Sequence, residues 1–292
     1  MMTIRSRGAA LFSCTLLTAC LAGPLHAEEA GPVARHGALS TDGARIFGAD
    51  GEAVSLAGVS FFWSTTGWGQ EKFYNGDAVT HFAEDWNVSL VRAAIAADIP
   101  QGSYMDEPEA NMDRAYAVID AAIENGIYVI ADWHSHHAED NPQAAIAFFT
   151  DIAEKYGETP NLIYEIYNEP LDTADWSSTV KPYAETVIDA IREIDPDNLI
   201  VVGTPSWSQD VDKAAANPLT GYDNIAYTLH FYAASHKQDL RDKAEIAIEA
   251  GLPLMVTEWG GVNYDGDGAV DEVSVREWMD FIRQNGLSHA NW

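Results

Sequence analysis

Eight short runs rich in β-branched and aromatic residues recur along the chain, at 56–62, 88–93, 127–132, 162–167, 199–203, 225–231, 254–257 and 287–292. Each has the length and composition of a buried strand. Helical stretches separate many of them, at 110–125, 143–156, 180–194, 238–250 and 273–285, and Asn125-Gly126, Tyr156-Gly157, Ala250-Gly251 and Asn285-Gly286 supply helix stops. Strands that alternate with helices are parallel strands joined by crossovers, so eight such units predict an α/β fold, a (β/α)8 barrel. Residues 39–56, with Asp42-Gly43 and Asp50-Gly51 as turns, predict one or two small hairpins ahead of it. With 292 residues and 47% hydrophobic content there is material for one large core, so a single domain is expected over residues 36–292.

In such a barrel the chemistry gathers at the C-terminal ends of the strands. The fourth run stops at Asn168-Glu169-Pro170, and Pro170 biases the residue before it towards extended geometry, which puts Glu169 at a strand tip. The seventh stops at Glu258-Trp259-Gly260. Either glutamate alone would read as a solvated turn residue; two at strand tips suggest a carboxylate pair. Arg92 closes the second run, Asp132-Trp133-His134 the third, His230-Phe231-Tyr232 the sixth and Asn291-Trp292 the eighth. Such groups do not match the branched aliphatics that fill barrel interiors, so they point to the rim.

A formal net charge of −29 argues against nucleic acid or an anionic membrane as partner, and a neutral ligand is indifferent to that field. No apolar run after the leader is long enough to span a membrane. Residues 1–27 read as an export signal, with Arg5 and Arg7 ahead of an apolar run and Leu25-His26-Ala27 as the cleavage site. Leu17-Thr18-Ala19-Cys20 gives the alternative of a lipid anchor at Cys20, so secretion and an outer-membrane lipoprotein both stand. Both cysteines, Cys14 and Cys20, fall in this leader, which leaves the domain without thiolate or disulfide chemistry. No metal is expected: His134, His136 and His137 sit on one irregular loop and need not converge, and Asp265-Gly266-Asp267-Gly268 departs from a calcium-loop pattern.

Together these stretches resemble the bacterial endoglucanases of glycoside hydrolase family five, the cellulase subfamily. The likeness runs from about Gly37 to Trp292 through Val91-Arg92-Ala93-Ala94, Asp132-Trp133-His134, Asn168-Glu169-Pro170, Trp207-Ser208-Gln209-Asp210, Leu229-His230-Phe231-Tyr232-Ala233 and Val256-Thr257-Glu258-Trp259-Gly260. It implies a retaining endo-β-1,4-glucanase that needs no cofactor, acts on a β-1,4-glucan and is a monomer. Glu169 would be the general acid/base and Glu258 the nucleophile, their carboxyls about 5–5.5 Å apart. Arg92 and Tyr232 would favour the Glu258 anion. Asn168 would contact the sugar 2-hydroxyl, and His134 and His230 would be substrate-site histidines. Trp207 and Trp292 match sugar-stacking positions, as does Trp63, for which Trp68 competes. Trp133 and Trp259 read at least as well as packing between strand and helix as they do as sugar platforms, and Trp86 and Trp278 are expected to lie in helices and be core.

The chain stops at the tip of the eighth run, so it is expected to lack the family's final helix and to be a marginally folded fragment of a longer protein. Two alternatives accompany the glucanase reading: another β-glycanase, acting on mannan or mixed-linkage glucan, and a fragment that binds sugar without cleaving it.

Overall fold

The computed structural model describes Met1 and residues 31–292, of which Gly31–Trp292 form one compact unit. The export signal, its cleavage site and Cys20 lie outside the described residues. A short helix that the sequence did not suggest, α1 (Pro32–His36), precedes an antiparallel hairpin of β1 (Ser40–Asp42) and β2 (Arg45–Phe47). Gly43 turns the hairpin at φ 54°, a left-handed conformation open to glycine.

Eight strands follow: β3 (Ala57–Ser60), β4 (Leu90–Ala96), β5 (Tyr128–His134), β6 (Leu162–Glu165), β7 (Ile200–Val202), β8 (Ile225–Tyr232), β9 (Leu254–Gly260) and β10 (Ser288–Asn291). They close into a barrel in the order β10-β3-β4-β5-β6-β7-β8-β9 with parallel pairing throughout. The (β/α)8 expectation holds. Each of the eight sequence runs overlaps one barrel strand, and β4, β5, β8 and β9 continue past the end of theirs.

The connections carry α2 (Gly76–Asp85), α3 (Pro108–Glu124), α4 (Pro142–Tyr156), α5 (Lys181–Arg192), α6 (Pro205–Ser208), α7 (Val211–Ala216), α8 (Gln238–Glu249) and α9 (Glu272–Asn285). Helix α2 was anticipated only through Trp86, with no range assigned to it. It starts where the Asn75 side chain accepts the Ala78 N–H and buries Val79 against the barrel. Trp86, expected in the core, is 59% exposed: it follows the last residue of α2, past the turn that carries the buried face. Trp278 does lie in the core, stacked on Phe231 at 3.9 Å. Gly157, read as a helix stop, does end α4, with φ −59°; what excludes a side chain there is the Ala153 carbonyl, 2.6 Å from where a Cβ would stand. No helix among the described residues is long and apolar enough to cross a membrane.

Strand alternation divides the core in two. Val91, Ala93, Ile95, Val129, Ala131 and Trp133 face outward into the helix layer. Leu90, Tyr128, Ile130, Ile163, Val201, Ala226, Met255 and Ala290 fill the barrel's lower interior, with Leu39, Ile46 and Val54 of the hairpin region packed into the same cluster. Two residues further along the same strands, the inward side chains change character. They are Arg92, Asp132, Glu165, Thr228 and Thr257, all fully buried.

Candidate active site

The polar layer is built around one guanidinium. Arg92 Nε donates to Glu165 Oε2 at 2.6 Å, Nη2 donates to Asn168 Oδ1 at 2.7 Å and lies 2.9 Å from Asp132 Oδ2, and Nη1 reaches Glu258 Oε2 at 3.2 Å. Four oxygens from the ends of three strands, β5, β6 and β9, are thereby drawn to a common centre. Burial works against charge on every member, so the partners decide which acids stay ionised. Glu165 has the shortest bond to Arg92 and is held down to about 2 in spite of its burial. Asp132 and Glu258 are both pushed up by burial, against the pull of the same arginine.

Glu258 reaches this centre through a bulge. Between Thr228 and His230 on β8, and again between His289 and Asn291 on β10, β9 advances one residue more than its neighbour. The extra residue lets Thr257 and Glu258 both turn inward. The Thr257 hydroxyl donates to Glu165 Oε1 at 2.5 Å, while Glu258 Oε1 accepts the Tyr232 hydroxyl at 2.6 Å.

His230 links the two acidic tips. Its Nδ1 lies 2.9 Å from Glu169 Oε1 and its Nε2 2.9 Å from Thr257 Oγ1. Burial opposes its charge, but Glu165 and Glu169 raise it to about 9, so at neutral pH both ring nitrogens donate. Hydrogen bonds then run unbroken from Glu169 through His230, Thr257 and Glu165 to Arg92, and on to Glu258 and Tyr232. Oxygens of Glu169 and Glu258 and a His230 nitrogen all lie within 4.8 Å of one another. The loop histidines supply no such cluster; His136 Nδ1 stands 3.7 Å from Glu169 Oε2.

These groups open into a cleft of about 690 Å³ lined by Trp63, His134, His136, Glu169, Trp207, His230, Tyr232, Glu258 and Trp292. His134 Nδ1 is paired to Asp132 Oδ2 at 2.6 Å, and burial and Arg92 keep its ring neutral. Trp292 stacks on His134 at 5.3 Å with the rings 5° from parallel, and Trp63 meets the same ring edge-on at 4.0 Å. Trp63 lines the cleft; Trp68 stands behind it, ring centres 5.6 Å apart. Trp133 is buried against Tyr104 and Phe148 in the helix layer, and Trp259 stacks on Phe231. A second groove, about 620 Å³, shares His136 and Trp207 with the first and adds Asp98, Asp140 and Leu171.

All ten residues singled out from the sequence gather here: Arg92, Asn168 and the eight cleft-lining residues other than His136. Glu165 and Thr257 were not singled out; Asp132 was placed at the rim and His136 was weighed only as a metal ligand, neither with a role in the site. The signal for Asp132 and Glu165 was present, since each is an acid two residues after an inward aliphatic within an apolar run. Arg92 was expected to serve Glu258, which it reaches, but the structure gives its shortest bond to Glu165.

The family model Cellulase (glycosyl hydrolase family 5) matches residues 47–292. Endoglucanase Z of Dickeya dadantii is 53% identical over 254 residues, covering 87% of this chain and 59% of that protein. An endoglucanase of Clostridium saccharobutylicum is 38% identical, over 90% of this chain and 58% of its own length. The chain therefore spans about three-fifths of these relatives. Among solved structures, the catalytic domain of Thermobifida fusca endoglucanase Cel5A superposes with a TM-score of 0.83 at 33% identity, covering 90% of this chain and 86% of that one. Shared sequence over most of the chain and a shared barrel lead to one conclusion: the chain belongs to glycosyl hydrolase family 5.

Proposed function

We propose that this chain hydrolyses internal β-1,4-glucosidic bonds of cellulose-like glucans with net retention, Glu169 acting as general acid/base and Glu258 as nucleophile. The observation that carries the reading is the approach of the two carboxylates to within 4.8 Å across the barrel mouth. Retention needs carboxyls about 5–5.5 Å apart, whereas inversion needs about 6.5–9.5 Å to admit a water. In the first step Glu258 attacks the anomeric carbon while Glu169 protonates the departing oxygen. In the second, Glu169 takes a proton from water, which displaces the Glu258 ester. Forming the ester removes the Glu258 charge, which eases proton release from Glu169.

Asn168 is positioned for this by Arg92: with its Oδ1 held at 2.7 Å, its amide N–H groups are left to donate to a sugar hydroxyl. Trp63, Trp207 and Trp292 offer ring faces and edges to the apolar faces of sugars, and His134 offers the nitrogen not engaged by Asp132. Related proteins support the substrate class, since the relatives above are endoglucanases and a single-substitution variant of the Thermobifida fusca domain has been solved in complex with cellotetraose. No cofactor enters any step. The export reading of residues 1–27, with lipidation at Cys20 as its alternative, belongs to the same proposal, and the mass of the mature N-terminus distinguishes the two.

Product release from carboxymethylcellulose and from mannan tests substrate and mechanism together. Glucan cleavage is expected, the β-anomer appearing first by proton NMR and Glu258→Gln abolishing release. Initial α-anomer, cleavage of mannan alone, or binding without release would each reject the reading.

A further inference from the structure

The Trp207-Ser208-Gln209-Asp210 stretch does more than carry an aromatic ring. Ser206, Trp207 and Ser208 have φ of 60°, 58° and 56°, three consecutive side-chain-bearing residues in the left-handed region with no glycine among them. A single such residue is uncommon and a run of three is disfavoured at every position, so the turn persists only because its surroundings impose it. Those surroundings are specific. The Trp207 N–H donates to the Pro170 carbonyl at 2.8 Å, and the Ser208 hydroxyl donates to the Asn168 carbonyl at 2.7 Å. The turn thus grips the backbone on both sides of Glu169.

Its other end is tied to Asp210, whose side chain is 4% exposed. Asp210 Oδ2 accepts the Ser206 hydroxyl at 2.8 Å and Lys213 Nζ at 2.5 Å, and Oδ1 accepts Lys243 Nζ at 2.6 Å. Lys213 belongs to α7 and Lys243 to α8, so one carboxylate fastens the turn to two neighbouring helices. Trp207 is held 40% exposed where the two grooves of the cleft meet.

We propose that Asp210 is a positioning residue: through Ser206 it keeps the left-handed turn wound, and the turn sets both the Trp207 ring and the backbone around Glu169 for substrate that crosses the junction of the two grooves. The inference rests on the glucanase reading above and adds to it how the acid and the platform are held in register. A glycine in place of Ser206 would take φ near 60° without the side-chain penalty, so the turn would need its anchor less.

The test compares cellopentaose, which crosses Trp207, with 2,4-dinitrophenyl β-cellobioside, whose leaving group departs without a proton. Asp210→Asn, isosteric but uncharged, is expected to lower kcat/KM on cellopentaose at least tenfold, chiefly through KM, and on the aryl glycoside less than threefold. Adding Ser206→Gly is expected to restore at least half of the cellopentaose loss. Equal losses on both substrates, no loss, or no recovery with glycine would overturn the proposal. Calorimetry of cellopentaose binding in a Glu258→Gln background reads the same effect without turnover: binding at least fivefold weaker with Asp210→Asn supports the proposal, and unchanged binding overturns it. Absence of turnover in the unmodified chain would instead count against the hydrolase reading, and the binding comparison would still decide the role of Asp210.

Discussion

Tyr232 makes a shorter contact to Glu258 than Arg92 does, 2.6 Å against 3.2 Å, and it donates to the carboxylate oxygen that Arg92 leaves free. Burial raises the Glu258 carboxyl above its ordinary value, and His230, Arg92 and the Tyr232 hydroxyl pull against that rise. Because a nucleophile must be anionic, activity is lost as pH falls through this raised value, so the acidic limb should lie above that of a free glutamate. Removing the phenol removes one of the downward pulls. Tyr232→Phe is therefore expected to shift the acidic limb of kcat/KM to higher pH. It should also cut the plateau about 10- to 100-fold, the scale of a hydrogen bond to a charged group. A pH-rate profile of the two proteins measures both, and an unmoved limb would mean that the phenol does not act on the Glu258 charge.

The β9 bulge and the α6 turn are the two devices that aim the site, and neither was legible in the sequence. The barrel was, because strands buried on both faces read as continuous apolar runs and the helices between them end at recognisable stops. Val256-Thr257-Glu258 reads the same with or without an inserted residue, since the bulge shows only in its register against β8 and β10. Ser206-Trp207-Ser208 gave no warning of left-handed backbone because no glycine marks it. Glu169 and Glu258 were legible because each closes an apolar run within two residues of a proline or glycine; Asp132 was placed at the rim but given no role, and Glu165 was passed over inside a run that otherwise looked like core. Thr257 measures what the bulge contributes. Its hydroxyl satisfies both Glu165 Oε1 and His230 Nε2. Thr257→Val keeps the shape and leaves the Thr228 hydroxyl, at 3.3 Å, to serve that oxygen. Two buried polar groups would lose a partner, so unfolding free energy by urea titration should fall by about 1–3 kcal/mol. A change below about 0.5 kcal/mol, within the usual range of neutral surface substitutions, would show that the pair is satisfied without it.

Across the whole molecule, 45 acidic against 16 basic residues create a negative field that a neutral glucan does not feel and a carboxymethylated one does. Asp98 and Asp140 extend that field along the groove beyond Trp207, and Glu169 and Glu258 lie at its centre. Substituted chains should then be slowed at low ionic strength, where the screening length is about 30 Å at 0.01 M, and released from that repulsion by salt, which shortens it to about 3 Å at 1 M. Raising sodium chloride from 0.01 M to 0.5 M is expected to increase kcat/KM on carboxymethylcellulose roughly 3- to 10-fold, at or below the low end of the about 10- to 1000-fold range of electrostatic steering, while a neutral hydroxyethylcellulose changes less than about twofold. The contrast between the two polymers is what matters, because salt that altered the protein itself would move both rates together. Asp98→Asn/Asp140→Asn should flatten the carboxymethylcellulose response if these side chains are its local source. An undiminished response would place it in the remaining surface charge, and a flat response in the unmodified chain would show that the cleft is insulated from the molecule's net charge.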